Sequence, residues 1–301
     1  MPYQASYVRL LKDGGLAERK AKAYRRLSCC DLCAHACQAD RLRGRTGICR
    51  AGQSVTVADY GPHFGEEDVL VGQGGSGTIF FTGCNLQCVF CQNWEISQLR
   101  EGETVSVETL AGMMLELEEK GCHNINLVTP TPYLPPILAA LEVAAARGLS
   151  LPLVYNCGGY ESLAALELLD GVVDIYLPDV KFGDDATGLK LAGAPDYFAA
   201  VKSSLTEMHR QVGDLQLDER GIACRGLIVR HLVLPGGLTG TVEIVRFIAA
   251  AISPDTYINL MNQYYPAYRA KDYPPLHRGL SAREYQAALQ IAREAGLHHF
   301  A

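Results

Sequence analysis

The stretch Thr78-Ile79-Phe80-Phe81-Thr82-Gly83-Cys84-Asn85-Leu86-Gln87-Cys88-Val89-Phe90-Cys91-Gln92-Asn93-Trp94 places three cysteines, four and three residues apart, on a loop directly after a short β-rich run. Three thiolates in such a C-x3-C-x2-C array can hold three corners of an iron–sulfur cube, which normally takes four Cys ligands, so that one iron is left open. Two plainer readings stand beside this one. The cysteines can bind zinc together with a distant His, or pack as small apolar residues. The preceding strand and the motifs further along the chain favour the cluster.

Of the 301 residues 48% are hydrophobic, enough to bury a full core, and the length suits about two domains or one of barrel size. A net charge of −6 with scattered Lys and Arg argues against nucleic acid or an anionic membrane as partner. Met1 to Leu11 has no cationic region followed by an apolar core, and no apolar run reaches bilayer-spanning length, so a cytoplasmic location is expected. Eight of the eleven cysteines fall into two groups, at 29, 30, 33, 37 and 49 and at 84, 88 and 91, leaving Cys122, Cys157 and Cys224 isolated. In a reducing compartment grouped cysteines point to metal rather than disulfides.

Before the decisive loop, a helical segment from Leu16 to Leu27 is rich in Lys and Arg and reads as a solvated face. Cys30, Cys33, Cys37 and Cys49 then form a C-x2-C-x3-C-x11-C set, with Cys29 and His35 as spare candidates. This set predicts a second metal site, and structural zinc, an auxiliary [4Fe–4S] cluster and free thiols all remain open. The arginines between Arg41 and Arg50 read as a solvated face on a metal-tied loop. Val55–Tyr60 and Asp68–Val71 read as short strands, and Gly72-Gln73-Gly74-Gly75-Ser76-Gly77 as a flexible linker, since a dinucleotide fingerprint follows its strand rather than preceding it. The domain organisation expected is a Cys-rich region over 1–76 and a main domain over 77–301.

From Thr78 onward, apolar strand patterns at 78–82, 125–129, 151–156, 172–177, 227–234 and 256–261 alternate with helical ones. Leu110, Met113, Met114 and Leu117 recur at helical spacing, and Pro135-Pro136 open a helix that ends near Gly148. Further helices are read at 161–169, 197–212 and 242–252, and Ser281-Ala282-Arg283-Glu284 is a capping box. Near-continuous apolar strands separated by helices indicate an α/β fold with a parallel sheet covered by helices. Active sites in parallel barrels form at the carboxyl ends of the strands. There this chain carries the cysteine loop, Thr129–Tyr133, Cys157–Tyr160, Pro178–Phe182, Arg230-His231 and Asn262–Tyr268.

The C-x3-C-x2-C array with Phe90 between its last two cysteines resembles the signature of the radical S-adenosylmethionine (SAM) superfamily. The resemblance implies an open partial (β/α)6 TIM-like barrel and a [4Fe–4S] cluster on Cys84, Cys88 and Cys91. It further implies SAM chelated to the fourth iron and cleaved reductively to a 5′-deoxyadenosyl radical. Asp179-Val180-Lys181 and Ile228-Val229-Arg230-His231-Leu232-Val233-Leu234-Pro235-Gly236 are similar to motifs of the pyruvate formate-lyase activating enzymes, and the similarity runs from about Gly77 to Gly296. By that resemblance Arg230 contacts the SAM carboxylate, a group its planar guanidinium matches. Asp179 and Lys181 lie near the methionine or ribose, and Asn93 near the SAM face of the cluster loop.

Two departures qualify the likeness. The superfamily's Gly-Gly-Glu motif, which receives the SAM amino group, is replaced by Thr129-Pro130-Thr131, making Thr129 and Thr131 the contacts expected there. The Cys-rich region also precedes the barrel, whereas activases with extra clusters carry them after the first motif. Each site has a plainer reading: a surface ion pair for Asp179 and Lys181, a structural ion pair for Arg230, core packing for His231 and for Cys157. Cys157 is equally a candidate thiol beside the radical. The tyrosines at 264, 265, 268 and 273 either wall the mouth or pin a loop. The expected function is that of an activase-like radical SAM enzyme, reduced by a flavodoxin or ferredoxin, whose radical abstracts hydrogen from a protein or small-molecule substrate, a glycyl residue of a partner enzyme being one candidate. The alternatives are action on another peptide or metabolite, or a non-catalytic iron–sulfur or metal scaffold.

Overall fold

The computed structural model describes residues 3–301. Helices α1 (Tyr7–Lys12) and α2 (Gly15–Arg26) open the chain, followed by strand β1 (Val55–His63) and the single helical turn α3 (Asp68–Val71). Strand β2 (Ser76–Phe81) leads into the cysteine loop, which is followed by β3 (Glu103–Val105), α4 (Val107–Glu119), β4 (Ile125–Val128) and α5 (Leu134–Ala146). Next come β5 (Leu153–Cys157), α6 (Leu163–Leu169), β6 (Ile175–Pro178), α7 (Asp185–Ala192) and α8 (Tyr197–Val212). The chain ends through β7 (Gln216–Leu217), β8 (Ala223–Leu232), α9 (Thr241–Phe247), β9 (Tyr257–Met261) and α10 (Ala282–Glu294).

Six strands, β2, β4, β5, β6, β8 and β9, pair parallel in that order, while β1 runs antiparallel to β2 and carries β3 on its outer edge. Among the described residues no pairing joins β9 back to β2, so the sheet stays open. These six are the strands read from sequence, and they form because both faces are covered. One face, with Tyr155, Tyr176, Leu227 and Val229, packs on the helices in the main core. The other, with Val154, Ile175, Leu177 and Ile228, forms a small inner core. Leu70 of α3 is fully buried in that inner core and closes the barrel floor, a burial worth roughly 2–3 kcal/mol.

The segment before β2 differs from its sequence reading. Asp68–Val71 was expected as a strand but is helical, because a turn aims Leu70 upward into the barrel. The glycines of Gly72–Gly77 were expected to form a flexible linker, yet they are sites of close approach. A Cβ at Gly74 would stand 2.0 Å from the Gly121 carbonyl oxygen and one at Gly77 2.6 Å from that of Asn124. The solvated helix over 16–27 also has a packed face, with Leu16, Ala23 and Leu27 buried and α2 lying on α5. The boundary expected at 76/77 falls inside β2, and buried residues on both sides of it share the main core.

Candidate functional site

The cysteine loop is gripped from two sides. Gln87 and Val89 donate their backbone N–H groups to the carbonyls of Ala192 and Leu191 at the end of α7, 2.7 and 2.9 Å away, and Val89 accepts from Arg269 N–H at 2.9 Å. Phe90 is buried edge-on against Phe182 and Tyr264. Its place between the last two cysteines is thus that of an anchor. Burial pushes the Cys84 and Cys88 thiols up, Cys88 to about 12, while the Lys181 ammonium pulls both back. Neutral thiols are what a dry pocket favours until a cation enters. A bound metal deprotonates a coordinating thiol outright, so this donor set suits an iron–sulfur cluster.

Below the loop a chain of alternating charges descends through the barrel. Lys181 Nζ donates to Asp179 Oδ2 at 2.8 Å, and Arg230 Nε donates to Asp179 Oδ1 at 2.7 Å. The other Arg230 nitrogens reach Glu66 Oε2 at 2.9 Å and Asn156 Oδ1 at 2.6 Å. Side-chain exposure falls from 23% at Asp179 and 19% at Lys181 to 15% at Arg230 and 8% at Glu66, so the chain runs from the mouth toward the floor. Burial by itself would raise the Asp179 carboxyl, but the Arg230 and Lys181 charges outweigh it and hold the group at about 2. Burial likewise works against the charged forms of Lys181 and Arg230, and Asp179 reverses it in both. Glu66 is pushed up by burial, with Arg230 opposing.

This arrangement merges two readings of Arg230. It is a structural ion pair, and three of its five N–H donors are engaged. Those that remain suit an incoming carboxylate. The charges of Asp179 and Lys181 act on the Cys88 thiol, and the two form an ion pair inside the mouth rather than on the surface. Asn93 lies exposed on the rim, where its carbonyl accepts from Ser97 N–H at 2.9 Å.

The Thr129-Pro130-Thr131 segment splits. Thr129 adopts φ +59, a left-handed conformation that is an outlier for a β-branched residue and costs about 1–3 kcal/mol. Its backbone N–H donates to the Asn156 carbonyl at 2.8 Å, which keeps it beside the charge chain. Thr131 does not join it. Its hydroxyl donates to Glu161 Oε1 at 2.8 Å on the far side of the sheet, where burial pushes Glu161 up to about 7. Cys157 also faces away from the lumen: strand alternation sends its neighbour Asn156 to Arg230 and Cys157 into the helix-covered core. The thiol is therefore packing, and burial raises it well above its ordinary value.

His231 is fully buried between the Val180 carbonyl, 2.7 Å from Nδ1, and Thr241 Oγ1, 3.0 Å from Nε2, and is a core histidine. The tyrosines divide as well. Tyr264 pins the loop through its hydroxyl to the Leu276 carbonyl, Tyr268 stacks on Trp94 with centroids 5.5 Å apart, and Tyr265 is exposed.

Glu66, Asn156 and Glu161 were not singled out in the sequence. Asn156 carried a signal, being a polar residue closing an apolar strand, whereas nothing local marks Glu66, which lies 164 residues from Arg230. The second cysteine set also assembles. Cys30, Cys33, Cys37 and Cys49 line one small cavity, while Cys29 lies exposed outside it. His35, which also lines that cavity, donates from Nε2 to the Asn85 carbonyl at 2.8 Å.

The radical SAM superfamily model matches residues 78–214. Uncharacterized protein MJ0674 of Methanocaldococcus jannaschii is 36% identical over 277 residues, covering 89% of this chain and 75% of the relative. Uncharacterized protein MJ0808 of the same organism is 24% identical over 226 residues, covering 72% and 60%. Among solved structures, native anSMEcpe with bound AdoMet has a TM-score of 0.49 at 11% identity, covering 71% of this chain and 57% of that one. TYW1 with a lysine-pyruvate adduct bound has a TM-score of 0.47 at 13% identity, covering 72% and 73%. With its three-cysteine loop at the carboxyl end of the first parallel strand and the family match beginning in that strand, the chain belongs to the radical SAM superfamily.

Proposed function

We propose that the protein is an activase-like radical SAM enzyme whose substrate is a polypeptide. The observation that carries this reading is the Lys181–Asp179 pair, whose charges act on the Cys88 thiol, with Lys181 acting on Cys84 as well, at the carboxyl ends of parallel strands. Cys84, Cys88 and Cys91 would hold a [4Fe–4S] cluster. Bound there, the cluster and SAM supply reductive cleavage of SAM to methionine and a 5′-deoxyadenosyl radical, which abstracts a hydrogen atom from the substrate.

The chain's own residues do the positioning. Arg230, fixed by Glu66 and Asn156, turns its unengaged N–H groups toward a carboxylate, while Asp179 and Lys181 hold polar groups just above it. Thr129, held out of its preferred backbone region, presents hydroxyl and backbone carbonyl for the SAM amino group in place of an acidic motif. Asn93 and the Trp94–Tyr268 stack form the rim. That rim supports a substrate arriving as an extended segment, such as the glycyl loop of a partner enzyme, with a flavodoxin- or ferredoxin-type protein as reductant.

The test is anaerobic reconstitution followed by SAM and dithionite. 5′-Deoxyadenosine should form, and it should vanish in the Cys84→Ala, Cys88→Ala, Cys91→Ala variant. A reconstituted cluster that yields none would end the enzyme reading. A glycyl-loop peptide should raise SAM cleavage, and an intact glycyl radical enzyme should acquire a glycyl EPR signal; without either, the activase part fails while the chemistry stands.

A further inference from the structure

Cys30, Cys33, Cys37 and Cys49 come from separate turns of the segment before β1, yet all four line the same cavity. The backbone is shaped around them. Gly47 leaves no room for a side chain, since a Cβ there would lie 2.3 Å from Cys37 Sγ. Arg41, only 2% exposed, donates to the Pro132 carbonyl at 2.7 Å and brings Nη1 to 3.8 Å from Cys30 Sγ. A permanent cation is thereby placed against a group of thiols, a compensation that a cluster of thiolates requires.

The sulfur spacing bears on which of two metals such a set takes. In a tetrahedral zinc site with Zn–S bonds of about 2.3 Å, the sulfurs stand roughly 3.8 Å apart. Among the described residues no three of these four sulfurs lie within 4.8 Å of one another. The same holds for Cys84, Cys88 and Cys91, and sulfurs at the corners of an iron–sulfur cube stand further apart than those on one zinc, because the cube itself stands between them. The two loops also touch: a Cβ at Gly83, next to Cys84, would lie 2.8 Å from the Cys49 carbonyl oxygen, and Asn85 lines the second cavity.

We propose that Cys30, Cys33, Cys37 and Cys49 hold a second [4Fe–4S] cluster that delivers electrons to the first. With four thiolates, each iron has a protein ligand and none is open to SAM, so the chemistry left to this cluster is one-electron transfer. It takes one electron from a low-potential flavin or iron–sulfur protein and is reoxidised when that electron passes across the Gly83–Cys49 contact to the Cys84–Cys88–Cys91 cluster. The transfer step rests on the radical SAM reading; the identity of the metal does not.

The experiment uses the full chain with Cys84, Cys88 and Cys91 all changed to Ala, purified and reconstituted without oxygen. It should retain about four iron atoms per chain, half the wild-type content, with a cubane Mössbauer spectrum and negligible zinc. It should also show a reversible one-electron EPR signal in a potentiometric titration. One zinc per chain, or loss of all iron with the fold intact by circular dichroism, would overturn the proposal. A cluster that no titration reduces would overturn the transfer role. If the triple variant does not fold, the wild type with Gly47→Ala decides: iron should fall from about eight toward four per chain while 5′-deoxyadenosine formation with dithionite reports separately on the first cluster.

Discussion

Arg230 is held by two carboxylates and an amide, and if the guanidinium goes Asp179 keeps only Lys181 while Glu66 and Asn156 lose this bond altogether. Arg230→Met would leave Glu66 without its guanidinium partner and Asp179 with Lys181 alone in a largely dry lumen, and breaking a buried pair by removing one partner costs about 3–5 kcal/mol. Urea unfolding should show that loss, whereas Glu66→Gln, which keeps the Arg230–Asp179 pair, should cost markedly less. Equal losses would mean that Glu66 and not Asp179 carries the network. His231 gives a prediction with pH. Burial lowers its folded value to about 4 from 6.5. The Val180 carbonyl can only accept, so Nδ1 carries the proton and Nε2 accepts from Thr241. A group depressed in the folded state contributes stability above its unfolded value and loses it as pH falls through the folded one. The neutral ring should therefore cost the fold about 3 kcal/mol between pH 6.5 and 4. His231→Gln should flatten that part of the stability profile, and an unchanged slope would show that other groups set it.

At the scale of elements, α10 is tied down by one carboxylate. Ser281 Oγ accepts from Glu284 N–H at 3.3 Å, and Glu284 Oε2 accepts from Ser281 N–H at 3.0 Å, completing the capping box. Glu284 also accepts from Gly236 N–H at 2.7 Å and pairs with Arg278, joining the helix to the turn after β8. Ser281→Ala should cost about 1 kcal/mol, and Glu284→Ala more, because it severs both the cap and the turn; thermal melts rank the two. The box was legible because both partners lie three residues apart, and the six parallel strands were legible because burial on both faces leaves long apolar runs. The short helices α1, α3 and α7 were not. α3 reads as a strand, since Val69, Leu70 and Val71 favour β structure locally, and only the barrel floor makes it a turn. α7 has no apolar period and owes its start to Asp184, whose side chain accepts from Thr187 N–H at 2.7 Å. Thr131 was misplaced for a similar reason, because its partner Glu161 belongs to the next strand–helix unit.

At the scale of the molecule, the residues before β2 are structural parts of the barrel, although composition alone sets them apart. The Asp174 carboxylate, buried at the start of β6, accepts from Ser6 N–H and Leu153 N–H at 2.8 Å each and from Tyr3 OH at 2.5 Å, so one group fastens the amino terminus to two strands. Tyr7, fully buried, donates to the Leu151 carbonyl at 2.8 Å. Removing residues 1–76 would strip β1 from the edge of β2, expose the face of α5 covered by α2, open the floor at Leu70 and leave Arg230 without Glu66. Each of these losses is of the size that single core or buried-charge changes carry, and together they exceed the 5–15 kcal/mol by which domains are usually stable. Residues 77–301 expressed alone should therefore bind a hydrophobic dye and show no cooperative unfolding, while the full chain unfolds in one transition. A truncated chain with a sharp transition near that of the full chain would make the Cys-rich segment an appendage. Its loops would then only rest against the Cys84–Cys91 loop. A single transition ties the two cysteine sets into one rigid body, which electron transfer across a contact between them requires.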